Sequence, residues 1–297
     1  MAHTKTSTLT DTIPTVIEEA RFTQQFKAVM AGMCWNIKKE LHEGSTVNVP
    51  YWGIVTAHNL VEGTDMANPQ EMEDTNVPIT PGEVGCQIVI TDKCVRDDQE
   101  DVIRAAGRIL GEAMEVKRDT DLLAELDDGT NSLGSSSTAT MGIVAAARAL
   151  LSGNAVATGG PAPMPYAMVH HPYVLLDLVD VLTPTIPYSG SNSSTSQAMP
   201  GGMTENVLKN YTIGRLFGMP VVEDGNLTIS SSVAKGGVFA TGTGGSIILA
   251  TADEWDIEDE RDASLRATEL NIVGEYGVGE YLAGWIVELA CNAGTPA

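Results

Sequence analysis

The sequence predicts an α+β protein in which helices and short strands are mixed instead of following one another as regular βαβ units. Two observations carry that expectation. In residues 95–126, VRDDQEDVIRAAGRILGEAMEVKRDTDLLAEL, the apolar Val102, Ile103, Ala106, Ile109, Leu110, Ala113 and Met114 recur at spacings of three and four, the period of one helix face. The rest of the chain supplies only short apolar runs punctuated by Gly, Pro, Ser and Asn, without a repeat of fixed period.

Taken in order, residues 1–13 are polar and Thr-rich, too poor in apolar content to fold alone, so a neighbouring subunit is a candidate to hold them. Residues 16–41 carry helix formers, with Val16, Ile17, Ala20, Phe22 and Phe26 as an irregular apolar stripe broken near Gly32. Val47, Val49 and Tyr51 alternate with polar or small residues as a strand, and Val84, Cys86, Ile88 and Ile90 form its return. Between these runs lie roughly thirty residues without apolar period, read as the tip of a long two-stranded arm, because a compact domain seldom holds an unstructured connection longer than about fifteen residues. An isolated hairpin is marginal in water, so such an arm implies docking on something else. A flexible surface loop competes with that reading.

The long helix follows. Asp97, Asp98, Glu100 and Asp101 crowd its first turn, where carboxylates meet unpaired N–H groups, and Gly129 supplies a stop. At 1.5 Å per residue it would be about 45 Å long, a strut. SLGSSSTAT then reads as a Ser-rich hinge, and MGIVAAARALLSGNA as a shorter helix ending at Gly153. PYAMVHH is a strand leading into a helix with Pro172 in its first turn. TPTIPYSGSNSSTSQAMPGG is an exposed loop, GRLFGMPVVEDGNLTI a turn with short strands, and VFATGTGGSIILA a strand pair about a Gly-rich turn. From Trp255 onward charged and apolar residues alternate up to a last apolar strand, GWIVELAC.

Composition narrows the function. The 297 residues are 43% hydrophobic, enough for a real core, and 17 Lys and Arg against 39 Asp and Glu give a net charge of -22. That balance argues against phosphate neutralisation on DNA or RNA and against a basic membrane-surface module. No signal core or membrane-length apolar run occurs, so a soluble, unsecreted chain is expected. Cys34, Cys86, Cys94 and Cys291 make no CxxC pair and read as free thiols of a reducing compartment.

Chemistry-bearing patterns are weak. No Walker A sequence is present, and Gly242, Gly244 and Gly245 suit a tight turn better than a dinucleotide loop. His170 and His171 are adjacent without a second ligand at metal spacing, and read as strand-to-helix junction residues. The serines of SGSNSSTS lack a G-x-S-x-G context. The acidic run Asp253, Glu254, Asp256, Glu258, Asp259, Glu260 and Asp262 lacks calcium-loop spacing and reads as a solvated face or a subunit seam with Arg261 and Arg266. Trp52, Trp255 and Trp285 read as packing or interface anchors. No catalytic residue, cofactor site or metal site is predicted, and a non-enzymatic role is expected.

The order of parts is more informative than any single motif. A hairpin entered through GSTVNVPYWG and left through GCQIVITD, a long helix ending DTDLLAEL, then YAMVHHPYVLLDLVD, GRLFGMPVV and a closing TELNIVGEYGVGEYLAGWIVEL resemble the major capsid protein of tailed double-stranded DNA phages with the Hong Kong 97 fold. The resemblance covers nearly the whole chain. It implies an N-terminal arm over 1–42, an extended E-loop over 43–93, a peripheral domain over 94–133 and 253–297 built on the spine helix, and an axial domain over 134–252. It also implies hexamers and pentamers of the chain itself, closing into an icosahedral shell around packaged DNA that is enclosed without sequence-specific binding. A portal, a separate scaffolding protein and a decoration or cement protein would be further partners, with no membrane; the virion would be its location and the host cytoplasm its place of assembly. Expected intersubunit contacts are Phe22, Phe26, Tyr51, Trp52, Asn68, Met72, Tyr188, Arg261 and Arg266. Ile103, Ile109, Leu110 and Met114 are the expected core of the spine helix, packing on the C-terminal strands that end in GWIVELAC. Some members of the family cross-link a Lys to an Asn; Lys209 and Asn210 are present, but nothing sets either opposite a partner, so the cross-link is not expected. Two alternatives are an encapsulin-type compartment enclosing protein cargo and, more distantly, a cytosolic hydrolase.

Overall fold

The computed structural model describes residues 27–40, 44–63, 65, 69–97, 102–182 and 214–294. The expected contacts Phe22, Phe26, Asn68 and Tyr188, the pair Lys209 and Asn210, and most of the helix expected over 16–41 lie outside the described residues.

After a turn of 3-10 helix at Met30–Gly32, β1 (Trp35–Lys38) occupies part of that expected helix, paired parallel to β11 (Ile247–Asp262). β2 (Val47–Trp52) and β3 (Asp74–Ile79) form an antiparallel hairpin of their own, with register from Val47 opposite Ile79 to Trp52 opposite Asp74. The return strand of the arm is therefore residues 74–79. β4 (Gly82–Thr91), expected in that role, instead joins a four-stranded sheet in the order β1-β11-β12-β4, along β12 (Ala267–Glu280).

A short helix α1 (Asp92–Asp97) follows, then α2 (Val102–Ala124). Residues 98–101, which carry most of the acidic first turn expected for a single helix, lie outside the described residues. At 1.5 Å per residue α2 is about 35 Å long. Its Ala106, Leu110 and Met114, four residues apart, are buried with Ile90, Cys94, Leu270 and Ile272, so the strut lies across β4 and β12. Of the C-terminal strands expected beneath it, β12 lies along its middle, and the stretch near Leu122, Leu123 and Leu126 clusters with Ile286 of the last strand. The expectation that Ile103 and Ile109 belong to its core is corrected, since they are 42% and 43% exposed. Ile109 is rotated about 100° from Leu110 around the helix, past the edge of the buried stripe.

The second large sheet runs β5-β13-β10-β6-β8-β7. β5 (Asn131–Ser137) is the Ser-rich stretch expected as a hinge; it pairs parallel to β13 (Ile286–Asn292). β13 in turn pairs antiparallel to β10 (Val233–Ala240), beside β6 (Tyr166–His170), β8 (Met219–Glu223) and the two-residue β7 (Arg215–Leu216), with β9 (Ile229–Ser230) on β10. The last strand thus belongs to the sheet of β6 and β10, although the peripheral segment was expected to run to residue 297. α3 (Met141–Ser152), capped by the Thr140 hydroxyl and ended at Gly153, and α4 (Pro172–Leu182) cover this sheet through Val144, Ala147, Leu151, Val174 and Leu178. The Gly-rich turn after β10 does not close a strand pair. It hands the chain to β11 in the other sheet, with Ser246 N–H donating to the Ala240 carbonyl.

Candidate assembly surfaces

The foot of the β2–β3 hairpin is held by aromatic packing. The Tyr281 ring meets Trp35 at 5.5 Å, Tyr51 at 6.5 Å and Trp285 at 5.8 Å, all edge-on, and its hydroxyl donates to the Pro50 carbonyl at 3.1 Å. Val49 and Ile79, on the inward face of the hairpin, are buried with Ile248 and Ala250 of β11. Gly277 makes the approach possible, since a Cβ there would stand 3.1 Å from Ile79 and from the Pro81 backbone. Tyr51, an expected subunit contact, is half-buried within its own chain.

Past Trp52 the hairpin leaves the body. Gly53 N–H donates to the Glu73 carbonyl at 2.8 Å, and the Gln70 side chain bridges to the Thr56 backbone. Trp52, Ile54, Val55, Leu60, Val61 and Met72 are each more than half exposed, with Met72 at 75%. So many large apolar side chains on one projection mark an interaction surface. Trp52 and Met72 were expected among them; the other four were missed, because the isolated pairs Ile54–Val55 and Leu60–Val61 in GIVTAHNLVEG have no period to betray them. At the foot, Tyr51, Trp52, Ile54, Val156, Leu282 and Trp285 line a groove of about 220 Å³.

Arg261 and Arg266 lie near the far end of the β11–β12 hairpin. Arg261 makes a two-point ion pair with Asp92, one nitrogen at 2.7 Å, which holds the Asp92 carboxyl below its usual range. That pair is within the chain, so Arg261 ties the hairpin end to α1. Arg266 is exposed in the turn with φ 52°, and its carbonyl accepts the Asp92 N–H. Trp255 is an internal anchor: its N–H donates to Glu115 at 2.8 Å, Arg118 sits 5.1 Å over its ring, and the ring lies where a Cβ on Gly274 would be.

Of the groups weighed for chemistry, the serines of SGSNSSTS lie outside the described residues, and the adjacent histidines sit at the strand-to-helix junction. His170 is buried, accepts the His171 N–H at its Nδ1, and lies 3.0 Å through Nε2 from the Leu289 carbonyl; burial pushes its pKa down to about 4. Burial pushes the Cys34 and Cys291 thiols up to about 12 and about 11, far from a reactive thiolate. Among the described residues no group of three or more His, Cys, Asp or Glu is placed to hold a metal ion. No helix among them is long and apolar enough to cross a membrane.

A family model for phage capsid protein matches residues 77–287. No curated protein matches the chain. Among solved structures, similarity extends over almost the full length. A chain of Mycobacterium phage Che8 superposes with a TM-score of 0.70 at 16% identity, covering 93% of this chain and 96% of that one. The head structure of Helicobacter pylori bacteriophage KHP40 gives 0.70 at 14%, covering 99% and 100%. The acidic stable capsid structure of bacteriophage KHP30 gives 0.71 at 12%, covering 98% and 99%. These likenesses share the Hong Kong 97 type of fold.

Proposed function

Because this chain belongs to the phage capsid protein family, it is a structural protein of a phage shell that associates with itself into capsomers, and we propose that hexamers and pentamers of it close into an icosahedral shell around packaged double-stranded DNA. The observation that carries the contact scheme is the β2–β3 hairpin, fixed at its foot by the Tyr281 cluster and apolar along its projecting part. It is the E-loop of this reading, α2 with β4, β11 and β12 is the peripheral body, and the sheet of β6 and β10 with α3 and α4 is the axial one. Trp52 and Met72 dock on neighbouring subunits, and Arg266 faces a seam between them. Each added contact to a neighbour already in place is effectively intramolecular, so several modest contacts suffice for a closed shell. A net charge of -22 suits a container that must not adhere to its DNA. Portal, a separate scaffolding protein and a cement protein complete the particle in the host cytoplasm. The family match does not favour an encapsulin-type compartment.

The test is to replace residues 57–69 with a short turn, leaving β3 and its buried Ile79 intact. Soluble, folded subunits that form no closed shells in electron micrographs are expected. Particles of normal size and yield would overturn the docking role of the hairpin. Nucleic acid or protein recovered from purified wild-type particles separates the genome-enclosing reading from a cargo compartment.

A further inference from the structure

Two carboxyl groups face each other in the interior, apart from every surface discussed above. Asp119 of α2 and Asp224, in the turn after β8, are each 1% exposed. Asp119 Oδ1 accepts the Val29 and Met30 N–H groups, both at 2.9 Å, and its Oδ2 accepts the Asn226 side-chain amide at 2.8 Å. Asp224 takes the Asn226 N–H at 2.9 Å on Oδ1, while its backbone N–H donates to the His170 carbonyl. Its Oδ2 is buried with no donor to receive. A buried carboxylate oxygen without a donor, set against a second carboxylate, is satisfied when it carries a proton and donates it.

We propose that Asp119 and Asp224 share one proton, and that this hydrogen clasps Val29–Met30 and the turn at 224–226 to α2, so that its loss loosens Val29–Met30 from the helix. The singly protonated pair leaves Asp119 its charge for the two backbone donors; removing the proton sets two buried negative charges in contact, and the segment whose N–H groups rely on Asp119 is the one that loosens, although the Met30 side chain stays packed against Leu122 and Leu123. Burial first, then the hydrogen bond with Asp119, push the Asp224 pKa up to about 7, against the opposing hydrogen bonds from Asn226. Cys34, beside the same Asp119, stays a neutral thiol, and Glu125, in the turn just after α2, is pushed up to about 6 by its own burial and by Asp128 and Glu280. A carboxyl whose folded pKa stands above its ordinary 3.8 stabilises fully below that value, and the contribution is lost as pH climbs to about 7. Clasp opening is therefore favoured progressively as pH rises from about 4 to about 7, and changes little above that. This inference concerns the single chain and holds whatever shell it forms.

The experiment is amide hydrogen exchange of the Val29–Met30 region in full-length soluble subunits from about pH 5 to about pH 9, corrected for intrinsic exchange, in wild type and Asp224→Asn. In the wild type, protection should fall by at least about tenfold between about pH 5 and about pH 7 and level off above that. Asp224→Asn places a permanent N–H donor against Asp119, so its protection should stay level, although Glu125 still titrates there. Equal pH dependence in the two proteins, or none in either, would overturn the clasp. If the variant does not fold, carbon-13 carboxyl resonances of wild-type aspartates decide: one buried carboxyl titrating near neutrality supports the shared proton, and both ionised throughout the range refutes it.

Discussion

Leu110 and Ile109 are neighbours of equal size with opposite fates. Leu110 is fully buried among Ile90, Met114 and Ile272, whereas Ile109 is 43% exposed. Truncating Leu110 to Ala should cost about 2–5 kcal/mol, because both transfer and cavity terms apply. The same truncation at Ile109 should stay within about 0.5 kcal/mol. Urea unfolding of soluble subunits measures both, and equal losses would show that α2 packs with a different face. The sequence carried the helix period but not its phase: with Ile103, Ile109, Leu110 and Met114 all apolar, periodicity marks a broad stripe, and only the sheet beneath decides which edge of it is covered. Asp119 was less legible still. An Asp within KRDTD looks like a solvated charge, and its value as a buried acceptor depends on Val29 and Met30, some ninety residues away.

At the level of elements, legibility followed how far each segment depends on distant partners. α3 and α4 carry their own signals, a Thr cap and a Gly stop in one and a Pro start in the other. β3 and β5 do not. DTNVPI has a Pro inside it and buries only Ile79 fully, which a two-stranded hairpin with open edges tolerates. NSLGSSS turns through positive φ at Gly134, Ser135 and Ser136 and becomes a strand only because β13 lies beside it. The hairpin foot is the element on which the assembly reading leans, and Tyr281 is its hub. Tyr281→Phe removes one hydrogen bond to the Pro50 carbonyl and should leave assembly unchanged. Tyr281→Ala removes three edge-on ring contacts, each worth about 0.5–1.5 kcal/mol beyond burial, and frees the hairpin to swing. Folded Tyr281→Ala subunits should yield few or irregular shells in micrographs; regular shells at wild-type yield would show that the neighbour, not the foot, sets the hairpin direction.

At the scale of the whole molecule, charge and apolar surface oppose each other. Every subunit carries a net charge of -22 into contact with copies bearing the same charge. Against that stand the projecting side chains from Trp52 to Met72, more than half exposed in the single chain. Ion pairs between subunits could offset the repulsion, but Arg261 is engaged by Asp92, Lys235 by Asp127 and Lys38 by Glu254, all within the chain. Salt tells the two possibilities apart. The screening length falls from about 30 Å at about 0.01 M to about 10 Å at about 0.1 M, which weakens repulsion between exposed acidic faces while leaving apolar contacts intact. If apolar docking drives association, light scattering should rise faster and from lower subunit concentration as sodium chloride increases over that range. If intersubunit ion pairs dominated, the same titration would slow assembly, and the hairpin would lose its place as the main source of cohesion.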